Sequence, residues 1–192
     1  MKNILTISAA SLVMLAACNH KANDSKAVAD SINSSRDSGE KVAPNSRMEI
    51  SGDDAKFAVD AANGGLAEVE LGKLAQQKAT NQQVKDFGAM MVNDHSKANA
   101  ELKQLAADKK IALPDSIASD EKHTMKDLSD LQGADFDKAY VQTMVKDHEK
   151  DIKLFEESAK KVKYPQMLAF IKKTLPVLHM HLQAAQKLNG GK

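Results

Sequence analysis

The chain has 192 residues, is 42% hydrophobic but only 4% aromatic, and carries 27 basic against 26 acidic residues. Removing Lys2 with a leader peptide brings the basic count to 26, so the rest of the chain is formally neutral. Balanced charge, with no Lys/Arg patch interleaved with aromatics, gives no general electrostatic reason to bind nucleic acid.

The chain opens MKNILTISAASLVMLAAC, with Lys2 ahead of an apolar run from Ile4 to Ala17. A basic start, a short apolar stretch and small residues before the break read as a secretory signal peptide over residues 1–17, too short to span a bilayer. The lone cysteine, Cys18, directly follows Leu15-Ala16-Ala17. That arrangement resembles the bacterial lipobox, and the resemblance implies cleavage, lipidation of Cys18 and a lipid-anchored protein of the cell envelope, at the outer membrane facing the periplasm. Several acyl chains on one cysteine would anchor stably where a single chain is marginal. The alternative is an ordinary cleavable signal with an incidental cysteine. Residues 18–50 are rich in Ser, Asp, Asn and Lys, which predicts a flexible tether to the membrane. Residues 51–192 suit one domain.

Within that domain four long segments place apolar residues at helical spacing, and none alternates as a strand does. The first helix is expected over about Asp53 to Lys78, with Ser51 or Asp53 as its cap, and the second over about Gln82 to Lys109, before the stop at Pro114. A short helix follows in SDEKHTMKDLSDLQG, capped by Ser119 and closed by Gly133. The third long helix is expected from GADFD, capped by Asp135, to about Val162; the fourth from Pro165 to Leu188. Pro176 removes a hydrogen bond inside the fourth helix and should kink it. Two helical hairpins joined by one long crossover is the wiring of a ferritin-like, all-α four-helix bundle.

The pentapeptides MVNDH (Met91 to His95) and MVKDH (Met144 to His148) repeat on the second and third long helices. At about 100° per residue, each histidine falls in the middle of its helix's apolar stripe. In LHMH of the fourth helix, His181 shares the direction of Phe170, Val177 and Ala185, whereas His179 points the other way. In the first helix Glu68 shares the direction of Phe57, Ala61 and Ala75, while Glu70 falls on a more mixed face. Each long helix thus sends one ionisable group, Glu68, His95, His148 or His181, into the core, and all four lie near mid-bundle.

Four such groups in an apolar core are costly unless they satisfy one another or a ligand. Three imidazoles and a carboxylate make a donor set for Zn, Cu or Fe. Met91 and Met144 offer soft thioether donors that would favour Cu(I), although as a pair they also read as core filler. Asp94 and Asp147 lie about 100° off the core direction and are expected at the helix boundary, as outer partners of the ligands or in salt bridges. The competing reading is a packing repeat with a hydrogen-bonded structural cluster. The glycines beside Glu68 would allow a close helix approach or leave room for the site.

The segments FAVDAANGGLAEVELGKLAQQKA, VKDFGAMMVNDHSKANAELKQLA, GADFDKAYVQTMVKDHEKDIKLFE and KTLPVLHMHLQAAQKL resemble the bacterial domain-of-unknown-function family 4142 over nearly the whole domain, Phe57 to Leu188. The resemblance implies an exported or outer-membrane protein with a ferritin-like fold, and no established reaction. The family pattern falls here on Glu68, Asp94, His95, Asp147, His148, Pro176 and His181. Di-iron ferritin-like enzymes use Glu-x-x-His on two helices, a motif missing from this sequence, which argues against a di-iron site. A weaker likeness to small exported bundles with Met-x-x-His-His signatures again points to copper. No Gly-x-Ser-x-Gly elbow or phosphate loop is present, so an enzyme is the third reading, after a metal-binding protein in a sensing, buffering or stress role and a non-catalytic envelope interaction protein. Protein partners other than the membrane are not specified by any motif.

Overall fold

The computed structural model describes residues 24–37 and 51–190, which form six helices and no strand. They are α1 (Ser25–Asp37), α2 (Gly52–Lys78), α3 (Gln82–Asp108), α4 (Ser119–Asp130), α5 (Gly133–Ser158) and α6 (Pro165–Leu188). The expected signal peptide, Cys18 and parts of the expected tether lie outside the described residues. No described helix is long and apolar enough to cross a membrane.

The four long helices begin and end close to where periodicity places them, but the capping chemistry differs. Ser51 does cap α2, in a reciprocal box with Asp54: Asp54 N–H donates to Ser51 Oγ at 3.2 Å, and Ser51 N–H donates to Asp54 Oδ2 at 3.1 Å. The other oxygen of Asp54 accepts from Lys163 N–H and Tyr164 N–H, both at 3.0 Å, just ahead of α6. This fully buried carboxylate therefore satisfies donors at the starts of two helices. Asp54→Ala is expected to cost about 2–4 kcal/mol in urea denaturation, since both sets of donors lose their acceptor. A loss below about 0.5 kcal/mol would show that water replaces the carboxylate.

Asp135 lies in the first turn of α5 and does not cap it; Gln132 occupies the cap position without a side-chain bond. Ser119 is likewise the first residue of α4, with its N–H and hydroxyl both donating to Asp24 Oδ2 at 2.8 Å. α6 runs unbroken through Pro176, whose ring faces solvent.

Ser25–Asp37 corrects the expectation of a tether that is flexible throughout. α1 lies against α2 and the crossover because its polar residues match backbone groups there. Asn33 exchanges two hydrogen bonds with Ala112, donating to its carbonyl at 2.9 Å and accepting its N–H at 2.8 Å. Lys26 reaches Asp60 of α2 at 2.7 Å, and Ala29 is buried. Low hydrophobicity hid this helix, since its docking relies on few apolar contacts.

α2 packs on α3 and α5, and α6 packs on α5 and α3, so the four long helices form a closed ring of neighbours. The α2/α3 contact is the tightest. A Cβ at Gly72 would stand 2.7 Å from the Gly88 carbonyl oxygen, and one at Gly88 would stand 2.8 Å from the Gly72 carbonyl oxygen. Backbone cannot move aside as a side chain can. Gly72→Ala is therefore expected to destabilise the protein by about 2 kcal/mol in denaturant titration, against the roughly 1 kcal/mol that alanine normally gains in a helix. A stabilised variant would rule out that close approach.

Two apolar clusters fill the ring. One gathers Phe57, Leu102, Phe155, Phe170, Ile171 and Leu178; the other gathers Leu71, Phe87, Met91, Phe136, Tyr140 and Met144. Along every long helix the residues between these clusters include one buried ionisable group, and those four groups form a polar layer across the core.

Candidate metal centre

The polar layer consists of Glu68 on α2, His95 on α3, His148 on α5 and His181 on α6, each at most 5% exposed. His179, one residue from the inner edge of the same stripe, is exposed, as its helical phase requires. The three imidazole rings stand 5.1 to 5.7 Å apart, centre to centre. Each offers a ring nitrogen within 4.8 Å of the other two.

The hydrogen bonds of the rings are divided in one consistent way. His95 Nδ1 meets Glu68 Oε2 at 2.8 Å, His148 Nδ1 meets the Met144 carbonyl at 2.9 Å, and His181 Nε2 meets Asp94 Oδ2 at 3.1 Å. The carbonyl can only accept, so His148 carries its proton on Nδ1; a carboxylate oxygen that accepts from Nδ1 of His95, or from Nε2 of His181, sets the same choice there. The remaining nitrogens, His95 Nε2, His148 Nε2 and His181 Nδ1, are buried without a hydrogen-bond partner. With Glu68 ionised they are lone pairs, so the rings cannot satisfy one another as three acceptors. A cation would satisfy all of them at once, and holding the distal N–H on an oxygen is how ligating histidines are commonly oriented.

Electrostatics keeps the rings neutral and leaves the protonation of Glu68 to set which nitrogen of His95 is free. Burial pulls His95 and His181 down to about 4 and lowers His148 as well, so all three imidazoles stay neutral at ordinary pH. Burial pushes Glu68 up to about 7, with the neighbouring His148 opposing the shift. Its second oxygen, Oε1, has no hydrogen bond and lies 3.3 Å from His148 Nε2.

The structure therefore brings Glu68, His95, His148 and His181 together, with Glu68 holding the back of His95. Asp94 takes the outer position expected of it. Asp147 does not: it forms no hydrogen bond or ion pair with the rings and instead lines a cavity beside Glu68. The two aspartates occupy the same place in their pentapeptides but on helices with different neighbours. α3 lies against α6 and thus against His181, whereas α5 turns that side towards α2 and α4. Met91 and Met144 are fully buried in the second apolar cluster with Phe87 and Tyr140. The contact that Met144 makes with the site is through its carbonyl oxygen.

One participant escapes the sequence reading. Asp151, one turn after His148, lies beside the same cavity, and burial together with Glu68 holds its carboxyl well above the usual range. Gly64 faces it, where an added Cβ would come within 3.4 Å of both Asp151 carboxylate oxygens. The H-x-x-D spacing of His148 and Asp151, three residues apart on one helix, is the signal that sets Asp151 beside the site.

A family model described as a domain of unknown function (DUF4142) matches residues 39–188. No curated protein and no solved structure matches the chain.

Proposed function

This chain belongs to the family of the domain of unknown function (DUF4142), and from the site itself we propose that it binds one transition-metal ion through His95, His148 and His181. The observation that carries the reading is a set of three buried imidazoles, each offering a ring nitrogen within 4.8 Å of the other two, and each with one nitrogen held by Glu68, the Met144 carbonyl or Asp94 while the other has no hydrogen-bond partner. Around a tetrahedral ion with bonds of about 2.0–2.1 Å, ligand nitrogens lie about 3.4 Å apart, so no pair needs to close by more than about 1.4 Å. Side-chain rotation supplies movements of that size.

Three neutral imidazoles suit Zn, Cu or Fe, and the fourth position is left for Glu68 Oε1 or water. The carboxylate on His95 keeps the proton on Nδ1 and so keeps Nε2 free to ligate. In this reading the domain is a ferritin-like bundle without a di-iron site. The two hairpins, α2 with α3 and α5 with α6, joined by the crossover that holds α4, support that assignment. The lipobox-like leader supports a lipid anchor at Cys18 and a place at the outer membrane facing the periplasm, where the domain would buffer or sense the metal.

The competing reading is a structural envelope protein whose polar layer only fixes helix register. Its support is the pair of histidine–carboxylate contacts, Glu68 with His95 and Asp94 with His181. Metal analysis of full-length protein purified without a histidine tag separates the two: the metal reading expects about one ion per chain, and the structural reading expects none after dialysis.

A further inference from the structure

A cavity of about 360 Å³ opens between α2, α4 and α5, with Glu68 in its wall. Seven carboxylates and three lysines line it. Some of these charges are already spent on each other: Asp60 is held by Lys26 and Lys56, each at 2.7 Å, and Glu121 stands 3.9 Å from Lys150. Asp147 and Asp151 have no hydrogen-bond or ion-pair partner among the described residues. Glu68, only 2% exposed, leaves Oε1 unpartnered.

Glu68 is the one residue that belongs both to this cavity and to the imidazole layer, with its carboxylate 2.8 Å from His95 and 3.3 Å from His148. Along the bundle axis the layer is closed on both sides by apolar clusters, through which a hydrated ion cannot pass without losing its water. Asp94, the other carboxylate on the rings, is not in the cavity wall.

We propose that this cavity is the entrance to the metal centre: Glu121 and Asp147 draw in a hydrated divalent cation, Asp151 offers it a further carboxyl oxygen, and Glu68 passes it to the three imidazoles. The proposal rests on the metal-binding reading above. A negative cleft with low-dielectric walls raises the local cation concentration and the association rate, typically about 10- to 1,000-fold. Carboxylate oxygens and water suit a hydrated divalent ion in transit, whereas the nitrogen set beyond them suits its final coordination. Gly64 keeps the passage open beside Asp151.

The test uses full-length apoprotein and Co²⁺ alone, with uptake followed by stopped-flow absorbance and release followed after adding excess chelator. Asp147→Asn combined with Glu121→Gln removes charge, and Gly64→Leu fills the passage while leaving the three imidazoles in place. Glu101→Gln, on the outer face of α3 where Glu101 pairs with Lys173, is the control. Uptake is expected to slow about tenfold in both test variants, with release slowing in step, and the charge variant should also lose most of the salt dependence of uptake. The control should load as the wild type does. If both test variants load at the wild-type rate while His148 is still required, the entrance is overturned and the metal centre stands. If wild-type protein gives no Co²⁺ spectrum at all, both fall together.

Discussion

His148→Leu is expected to leave the metal-free protein at least as stable as the wild type while abolishing its response to Zn²⁺. The ring of His148 is fully buried, and its Nε2 has no hydrogen-bond partner. Its Nδ1 contact is with the Met144 carbonyl, an oxygen that already accepts the backbone N–H of residue 148 as part of α5. Replacing the imidazole by an apolar side chain of similar size thus orphans no backbone group, and Glu68 retains its contact with His95. Swapping buried polar groups for apolar ones of similar shape is often neutral or stabilising. A structural role predicts the reverse, a loss of about 1–3 kcal/mol.

The same logic extends to a pair. His95→Ala and His148→Ala should each lower Zn²⁺ affinity by at least about 100-fold, and the double variant should be hardly worse than either, because ligands of one ion are strongly coupled. Losses that multiply would mean that the two rings act separately.

The second large effect concerns Glu68 and pH. Protonated Glu68 donates to His95 Nδ1, which moves the ring proton to Nε2 and removes that nitrogen as a ligand. Ionised Glu68 restores it. With Glu68 raised to about 7, the apoprotein must release this proton to bind metal at lower pH. Zn²⁺ affinity should therefore be level above pH 7 and fall about tenfold per unit between pH 7 and 5. His95 and His181, lowered to about 4, add nothing to that slope in this range. Three exposed histidines would instead give a slope approaching three protons per ion below about pH 6.5. Glu68→Gln keeps an oxygen to accept from His95 Nδ1, so its affinity should be lower at pH 8 but level down to about pH 5. Isothermal titration at several pH values measures both; a three-proton slope in the wild type, or an unchanged slope in Glu68→Gln, contradicts the assignment.

How much of this the sequence discloses depends on the range of the interaction involved. Helical phase is local, and it correctly sends Glu68, His95, His148 and His181 inward and His179 outward, because each lies on a long stripe with a single apolar side. Hairpin lengths and the long crossover, also local, anticipate the ring of four helices. What phase cannot supply is which neighbour a side chain meets. Asp94 and Asp147 are equivalent in the pentapeptide, yet one meets His181 and the other faces a cavity. Asp54 looks like an ordinary first-turn acid, but it bonds to the backbone 109 and 110 residues away. α1 is the clearest case. Its composition argues for a chain without a core, and its order comes from Asn33, Lys26 and Asp24 finding partners in the crossover, α2 and α4. Such pairings leave no periodic trace.

The central claim is that three buried, unpartnered imidazole nitrogens form a metal centre. Thermal unfolding of the metal-free, untagged full-length protein, with and without saturating Zn²⁺, tests it most directly. A ligand at about 1,000 times its dissociation constant stabilises the native state by about 4 kcal/mol, which for a chain of this size raises Tm by roughly 8–16 °C. The account predicts a rise of that order, absent in His148→Leu. An unchanged Tm in the wild type, with Zn²⁺ and with Cu²⁺, would contradict it.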